Sequence, residues 1–498
     1  MKKNILIFLA LLTFYACNMD KSPYNAIERQ ISSVSDANSI RIGLYSNLKG
    51  MFTGTYVTMP DFQSDLFHAM IDFGNFNGSF YTWTFQTTEP VVESQWYGYY
   101  YVIATSNFLI EGIRGLRSAG GLSEEDAKAL NTYEGEARLI RAFCYYALSE
   151  KFCADYDPEN AAGTAGLPVD TLYRPSSLPA TYLGRSPLSD VYALITSDIQ
   201  AAESAITRAG EKNSVYLSAD VVKAFKARVA LTMHNWDVAI SEATSLIQSP
   251  AYTLISDSAA YTDLWINDEG DEVIFVTEMV GVNDLGNQTG SLFIYDNQNA
   301  GPDPQFIPEQ WVLDLYEPND IRFPAYFQRE EIEVENIATD SLYLLFKYPG
   351  NPALQNSTIS NYVNKGKAFR LSEMYLVAAE AYVQKGGADG AASDLLNQLR
   401  AKRIEGWTTQ TYSGGALLQE IREERVRELY AEGFRLSDLK RWKMGFTRGA
   451  GQNPEMIFPG NTHGTLSVEA SNPRFLWPIP KKETDVNPQI RPQQNPGY

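Results

Sequence analysis

The sequence predicts a mostly α-helical fold, a scaffold of degenerate helical hairpins interrupted by long loops and a few short strands. Three observations carry that prediction. Apolar residues recur at helical spacing through most of the chain. Two segments far apart in sequence repeat one helix–turn–helix pattern. Between the helical blocks lie stretches rich in Gly, Asn and aromatic residues instead of apolar runs.

The chain opens differently. Lys2 and Lys3 precede an apolar run, Ile5 to Phe14, that leads to Ala16 and Cys17. The run is too short to span a bilayer, so it reads as a removable targeting segment. Residues 1–16 are then a signal peptide, 17–34 a tether lipidated at Cys17, and 35–498 a single domain. More than one acyl chain on such a cysteine separates durable membrane attachment from marginal binding.

Within the domain, Ser35 caps a first helix carrying Ile40, Leu44 and Leu48. Trp96, Tyr100, Ile103, Asn107, Ile110 and Arg114 mark a second. A third opens at Ser123, with Asp126 completing an imperfect capping box, and runs through Leu130, Ala137, Arg141, Tyr145 and Leu148. Ser186 and Pro187 open a fourth, striped by Val191, Ile195, Ile199 and Ala202. The two similar segments follow. In Ala219 to Ser249, Ala227, Ala230 and Leu231 precede the turn His234-Asn235, and Ala239, Ile240, Ala243 and Leu246 follow it. In Leu371 to Arg403, Ala378, Ala381 and Tyr382 precede Gly386-Gly387, and Ala391, Ala392, Leu395 and Leu399 follow. Small residues at the crossing let antiparallel helices approach closely, as in hairpins of the tetratricopeptide type. The spacing is too irregular for a regular solenoid. Short strands are expected at Glu272 to Glu278 and Ser341 to Lys347.

Two irregular stretches are expected to hold the function, because long loops in a compact protein lie on its surface. In Met51 to Thr88, Phe73, Phe76, Phe80, Tyr81, Trp83 and Phe85 sit among Gly74, Asn75, Asn77 and Gly78; in Val276 to Pro308, Phe293, Tyr295 and Phe306 sit among Asn and Gln residues. The formal net charge of −19 argues against a nucleic-acid partner held by electrostatics. Cys144 and Cys153, in one helix, stand about 13 Å apart at about 1.5 Å per residue, beyond disulfide reach, and read as buried free thiols. His68, His234 and His463 are scattered, so no metal site or cofactor is expected. The acidic cluster Asp268, Glu269, Asp271 and Glu272 reads as a solvated turn.

The last third carries a dense signature: Arg370 to Glu373, Tyr375 to Ala381, Leu396 to Arg400, Ile421 to Arg425, Arg427 to Leu429, Glu432 to Arg435, Asp438 to Trp442, Leu476 to Pro480, and a closing Asn495-Pro496-Gly497-Tyr498. Upstream stand Trp96 with Asn107, Glu136 to Ala142 with Tyr146, and Gly166-Leu167-Pro168. In order and over nearly the whole mature chain, these resemble the SusD/RagB family of surface lipoproteins; the segment Cys153 to Ala165 is longer than the usual brief turn. The resemblance implies a SusD-like, mostly helical domain at the cell surface, tethered to the outer membrane by its lipid. It also implies a SusC-like TonB-dependent transporter as partner and an oligosaccharide or polysaccharide as cargo, or alternatively a peptide.

No enzyme is expected. Glycosidic cleavage needs two carboxylates across a sugar ring, but here Glu423, Glu424, Glu428 and Asp438 alternate with arginines at helical spacing, and Glu136 lies beside Arg138 and Arg141. These read as scaffold. Sugar binding asks instead for flat rings against C–H faces and amides for the hydroxyl rim. By the resemblance, ligand loops fall around 51–90 and 276–310. The candidate rings are Phe76, Tyr81, Trp83, Tyr295 and Phe306, with Asn77, Asn297 and Gln298 as hydrogen-bonding neighbours. Trp96, Trp236, Trp311, Trp442 and Trp477 are expected to pack within the fold.

Overall fold

The computed structural model describes residues 30–279, 289–294, 296–297, 301–334, 336–355, 360–458 and 467–498; the targeting segment and Cys17 lie outside them. Ser33, not Ser35, caps the first helix, α1 (Val34–Met51): it has the extended backbone a cap requires, and its Oγ accepts from the Asp36 amide. After the short α2 (Thr55–Phe62) comes the long α3 (Pro90–Ala119), entered through a proline whose missing N–H costs nothing there. Ser123 caps α4 (Glu124–Phe152) through the Asp126 amide, as the capping pattern predicts, and α5 (Leu188–Ala205) lies along it. Gly135 permits that approach, since a Cβ there would meet Ala205 Cβ at 2.7 Å.

Both hairpins form where the small-residue stripes place them. The first is α6 (Ala219–Thr232) with α7 (Trp236–Ile247), turning at His234 in the left-handed region (φ 57°). After α8 (Ser258–Ile266), the second is α9 (Leu371–Lys385) with α10 (Asp389–Arg403), turning at Gly386 and Gly387 (φ 84° and 75°), which only glycine adopts without strain. They are also neighbours, with α9 packed against both α10 and α7. Two further helices follow, α11 (Gly414–Leu429) and α12 (Arg435–Arg441). No helix among the described residues is long and apolar enough to cross a membrane.

Strands are short and paired in twos. β1 (Phe67–Ala69) runs antiparallel to Phe306–Pro308, and Val273–Val276 to Lys367–Arg370. A hairpin joins Phe327–Val334 to Ala338–Leu345. Its second strand overlaps the expected Ser341 to Lys347; its first, with Arg329, Glu330, Glu331 and Glu333, is too polar to signal itself. One contiguous apolar core runs from Ala37 to Ile490. The C-terminal segment closes back on the N-terminal half. Trp477 donates from its amide to Lys151 O and from its indole to Gln63 Oε1, both at 2.8 Å; Arg185 reaches Asn495 Oδ1 at 2.7 Å, and Asn495 Nδ2 reaches Phe152 O at 2.8 Å.

The charged signature is a buried lattice. Glu424 accepts from Arg322 (2.6 Å), Arg400 (2.7 Å) and Arg427 (3.0 Å), and Glu428 from Arg322, Arg370 and Arg403 at 2.8–3.0 Å. Arg41 holds Glu136, and Arg141 holds Asp198 at 2.7 Å. These carboxylates are committed to arginines. The acidic turn corrects the expectation of a solvated cluster. Glu272 is fully buried between Arg370 and Arg403, and Asp268, equally buried, accepts from Asn351, Asn364, Lys367 and the Lys365 amide. Only Glu269 and Asp271 face outward, fully or in part.

Cys144 and Cys153 are buried free thiols, Cys153 one residue past the end of α4, with burial pushing the Cys144 thiol far up and the Cys153 thiol to about 11. A thiol reagent at pH 8, read by peptide mass mapping, is expected to label neither until the chain is denatured. Labelling of Cys144 in the native protein would contradict this packing.

Candidate functional site

The pairing of β1 with Phe306–Pro308 sets Ala69 opposite Phe306 and so brings the two predicted loops together. From that junction the chain turns through Gly74 (φ 63°), Asn75 (58°) and Asn77 (52°), then the short helix Gly78–Tyr81, then Trp83 (59°). Four left-handed residues within ten positions is an unusual concentration, of the kind that persists only where surrounding structure holds it. Asn tolerates this region better than other side chains, and Gly78 makes room for Asn75, whose Oδ1 would lie 2.0 Å from a Cβ there.

What holds the loop is a floor of rings. Phe306 stacks on Phe62 at 4.1 Å and meets Phe73 edge-on at 5.9 Å; Phe80 stacks on Phe85 at 4.6 Å. Trp83 packs against Phe475 and donates from its indole to Gln63 O at 2.7 Å. Tyr81 Oη meets His68 Nδ1 at 3.1 Å, and its ring lies 3.9 Å below the Arg448 guanidinium. Arg448, itself buried, donates to Phe62 O (3.0 Å), Ser64 O (2.9 Å) and Tyr81 O (2.6 Å), tying the end of α2 to the helix Gly78–Tyr81. Beside it, Glu309 is fully buried against His68 at 3.1 Å, and desolvation pushes its carboxyl above the ordinary range.

The candidate rings therefore separate. Tyr81, Trp83 and Phe306 are corrected: at 1%, 5% and 0% exposure they belong to the interior and present no face to a ligand. Phe76 stands out at 45% exposure, held between two left-handed asparagines. Its neighbour Asn77 is half-buried, and Asn77 Nδ2 has no hydrogen-bond partner among the described residues. Asn297 lies in the strand Asp296–Asn297, paired with Gly301–Pro302, while Tyr295 and Gln298 lie outside the described residues. Sequence reasoning missed Asp72 and Asp303, both exposed, whose mutual repulsion adds to partial burial in raising the Asp72 carboxyl. It also missed Arg448, an isolated arginine whose role depends on segments far away in the chain. Of the tryptophans expected inside, Trp96, Trp442 and Trp477 are buried, Trp311 donates to Asp65 O from a partly buried position, and Trp236, also partly buried, stacks on His234.

Comparison with known proteins agrees with the fold. A family model described as SusD family matches residues 281–498, and one described as starch-binding associating with outer membrane matches residues 18–231. SusD-like protein P38 of Formosa agariphila is 26% identical over 455 residues, covering 81% of this chain and 79% of that protein. The starch-binding protein SusD of Bacteroides thetaiotaomicron is 35% identical over 133 residues, 26% of this chain and 21% of its own. The crystal structure of a SusD superfamily protein from the same organism superposes with a TM-score of 0.79 at 26% identity, covering 93% of this chain and all of that one. The helical architecture, the paired hairpins and the two matched regions lead to one conclusion: this chain belongs to the SusD/RagB family.

Proposed function

We propose that the protein is a cell-surface lipoprotein of the outer membrane that captures an oligosaccharide and delivers it to a partner TonB-dependent channel, breaking no bond itself. The observation that carries the binding reading is the exposed Phe76 ring on its braced loop, with the exposed carboxylates Asp72 and Asp303 in the same two loop stretches. A pyranose offers a patch of C–H groups to such a ring and hydroxyls to its rim. Asp72 and Asp303, both exposed, accept from those hydroxyls. The family description naming starch binding and outer-membrane association supports the same class. One ring face contributes about 1–2 kcal/mol, so affinity is modest. Weak capture suits a protein that passes its cargo on.

The test is affinity electrophoresis of the mature chain through gels containing neutral polysaccharides, with isothermal titration for any that retard it. Phe76→Ala is expected to weaken binding at this loop about tenfold, the loss of one stacked ring. Wild-type affinity in that variant would remove the loop from the site. Retention of peptides and of no glycan would move the reading to peptide import.

A further inference from the structure

We propose that a groove across the first turns of α3 is a second, separate binding site for a neutral oligosaccharide, a claim that rests on the glycan-binding reading above. The groove encloses about 410 Å³ between α3, the irregular segment 168–187 and the helix Lys481–Val486 near the C-terminus. It shares no residue with the Phe76 loop.

Its walls are fixed before any ligand arrives. Tyr100 Oη donates to Pro168 O at 3.0 Å, Asn107 Nδ2 to Asp170 O at 3.0 Å, and Asn487 Nδ2 to Leu183 O at 2.9 Å, pinning the irregular segment near both its ends. Twenty residues with almost no regular structure, held this firmly over an open cleft, is the pattern of a binding loop and not of a slack connection. Exposed apolar surface collects here. Tyr97 (38%), Leu183 (36%) and Val486 (53%) line the groove, and Tyr101 (51%) stands one turn further along the same face of α3.

The polar groups select the ligand's chemistry. Asp170 is paired with Arg174 at 3.7 Å, and Glu93 at the rim with Lys482. Among the described residues each cation at the groove stands beside a carboxylate, and Glu483 leaves the walls net negative. Glu483 accepts from Asn487 and keeps further acceptor capacity, while the Tyr97 and Tyr182 hydroxyls make no hydrogen bond within the described protein. Partial burial and the nearby Glu483 raise the Tyr97 phenol, so it stays a neutral donor. Ring faces with free hydroxyls, open carboxylate acceptors and one carboxylate in excess disfavour an anion and match a neutral polyol with apolar C–H faces, which is a hexose or pentose chain. With two sites on one molecule, a long polysaccharide engaging both gains over a short fragment through effective concentration.

The experiment titrates the mature chain with hexasaccharides of α-1,4-glucan, β-1,4-glucan, β-1,3-glucan, β-1,4-xylan and β-1,4-mannan, and repeats it with Tyr97→Ala, Tyr97→Phe and Phe76→Ala. Tyr97 is exposed, so both of its variants are expected to melt like wild type. The expected result is a sugar for which Tyr97→Ala loses one of two binding events, or about tenfold in affinity, while Tyr97→Phe, which keeps the ring and loses the donor, loses less. Loss in Tyr97→Ala with none in Phe76→Ala also supports the groove and displaces the Phe76 loop. Loss in Phe76→Ala alone overturns the groove and leaves the proposed function standing. Silence across the panel overturns both.

Discussion

Glu428→Ala is expected to leave little folded protein. Glu428 is fully buried in α11, and its carboxylate takes hydrogen bonds from Arg322, Arg370 and Arg403, side chains that are themselves at most 2% exposed and come from three separate parts of the chain. Breaking one buried ion pair by deleting a partner costs about 3–5 kcal/mol, because the other charge is stranded. Here three guanidiniums lose one carboxylate between them, and Glu272, Glu424, Glu432 and Asp320 are left to hold three buried cations, against a total stability of about 5–15 kcal/mol for a typical domain. A urea denaturation midpoint unchanged from wild type would show the lattice to be dispensable.

The same lattice sets an acid limit. Its arginines, with Lys347, hold the Glu428, Glu432 and Asp438 carboxyls below the ordinary range, against a desolvation that acts the other way. Folded values depressed below unfolded ones give stability that is present above the unfolded value of about 4 and lost as pH falls through the folded ones. Asp61 opposes this over part of the range. Burial raises its carboxyl to about 7, so it favours the folded state most at low pH and gives up that contribution between about pH 4 and 7. Unfolding free energy measured against pH should therefore fall steeply only below about pH 4, and Glu428→Gln should flatten that limb.

Arg448→Ala is expected to cost stability and binding together. Without the guanidinium, the buried carbonyls of Phe62, Ser64 and Tyr81 lose their donor. Each unsatisfied buried group costs about 1–3 kcal/mol. Since those carbonyls lie on either side of the left-handed turns, the Phe76 ring should lose its fixed pose. At a temperature where the variant remains folded by circular dichroism, its retardation in polysaccharide gels should be weaker than wild type. Arg448→Lys offers a point charge in place of a planar fork and should recover only part of the effect. A folded Arg448→Ala that binds like wild type would separate the ring floor from the site.

The helices were legible because each must bury one stripe, and a stripe is written in sequence. The turns at His234 and Gly386-Gly387, the cap at Ser123 and the alanine crossings are all local, and all appear where the spacing places them. The proposed ligand loop was legible only in part. Phe76, Tyr81 and Trp83 are alike in composition and context, yet which ring faces water is decided by the pairing of Ala69 with Phe306 and by Arg448, partners hundreds of residues away. The acidic turn misled for the same reason, since the cations that bury Asp268 and Glu272 come from Lys367, Arg370 and Arg403. Long-range chemistry leaves no mark in a local pattern.

The return of the C-terminal segment onto Gln63, Lys151 and Arg185 bears on how such a chain is made. A polypeptide made N-terminus first has its early helices waiting with open seams until Trp477 and Asn495 arrive. Folding of this molecule is thus completed only when its last residues have been made, and a premature stop shortly before position 473 would yield an unfinished protein, open to proteolysis, and not a slightly shorter one.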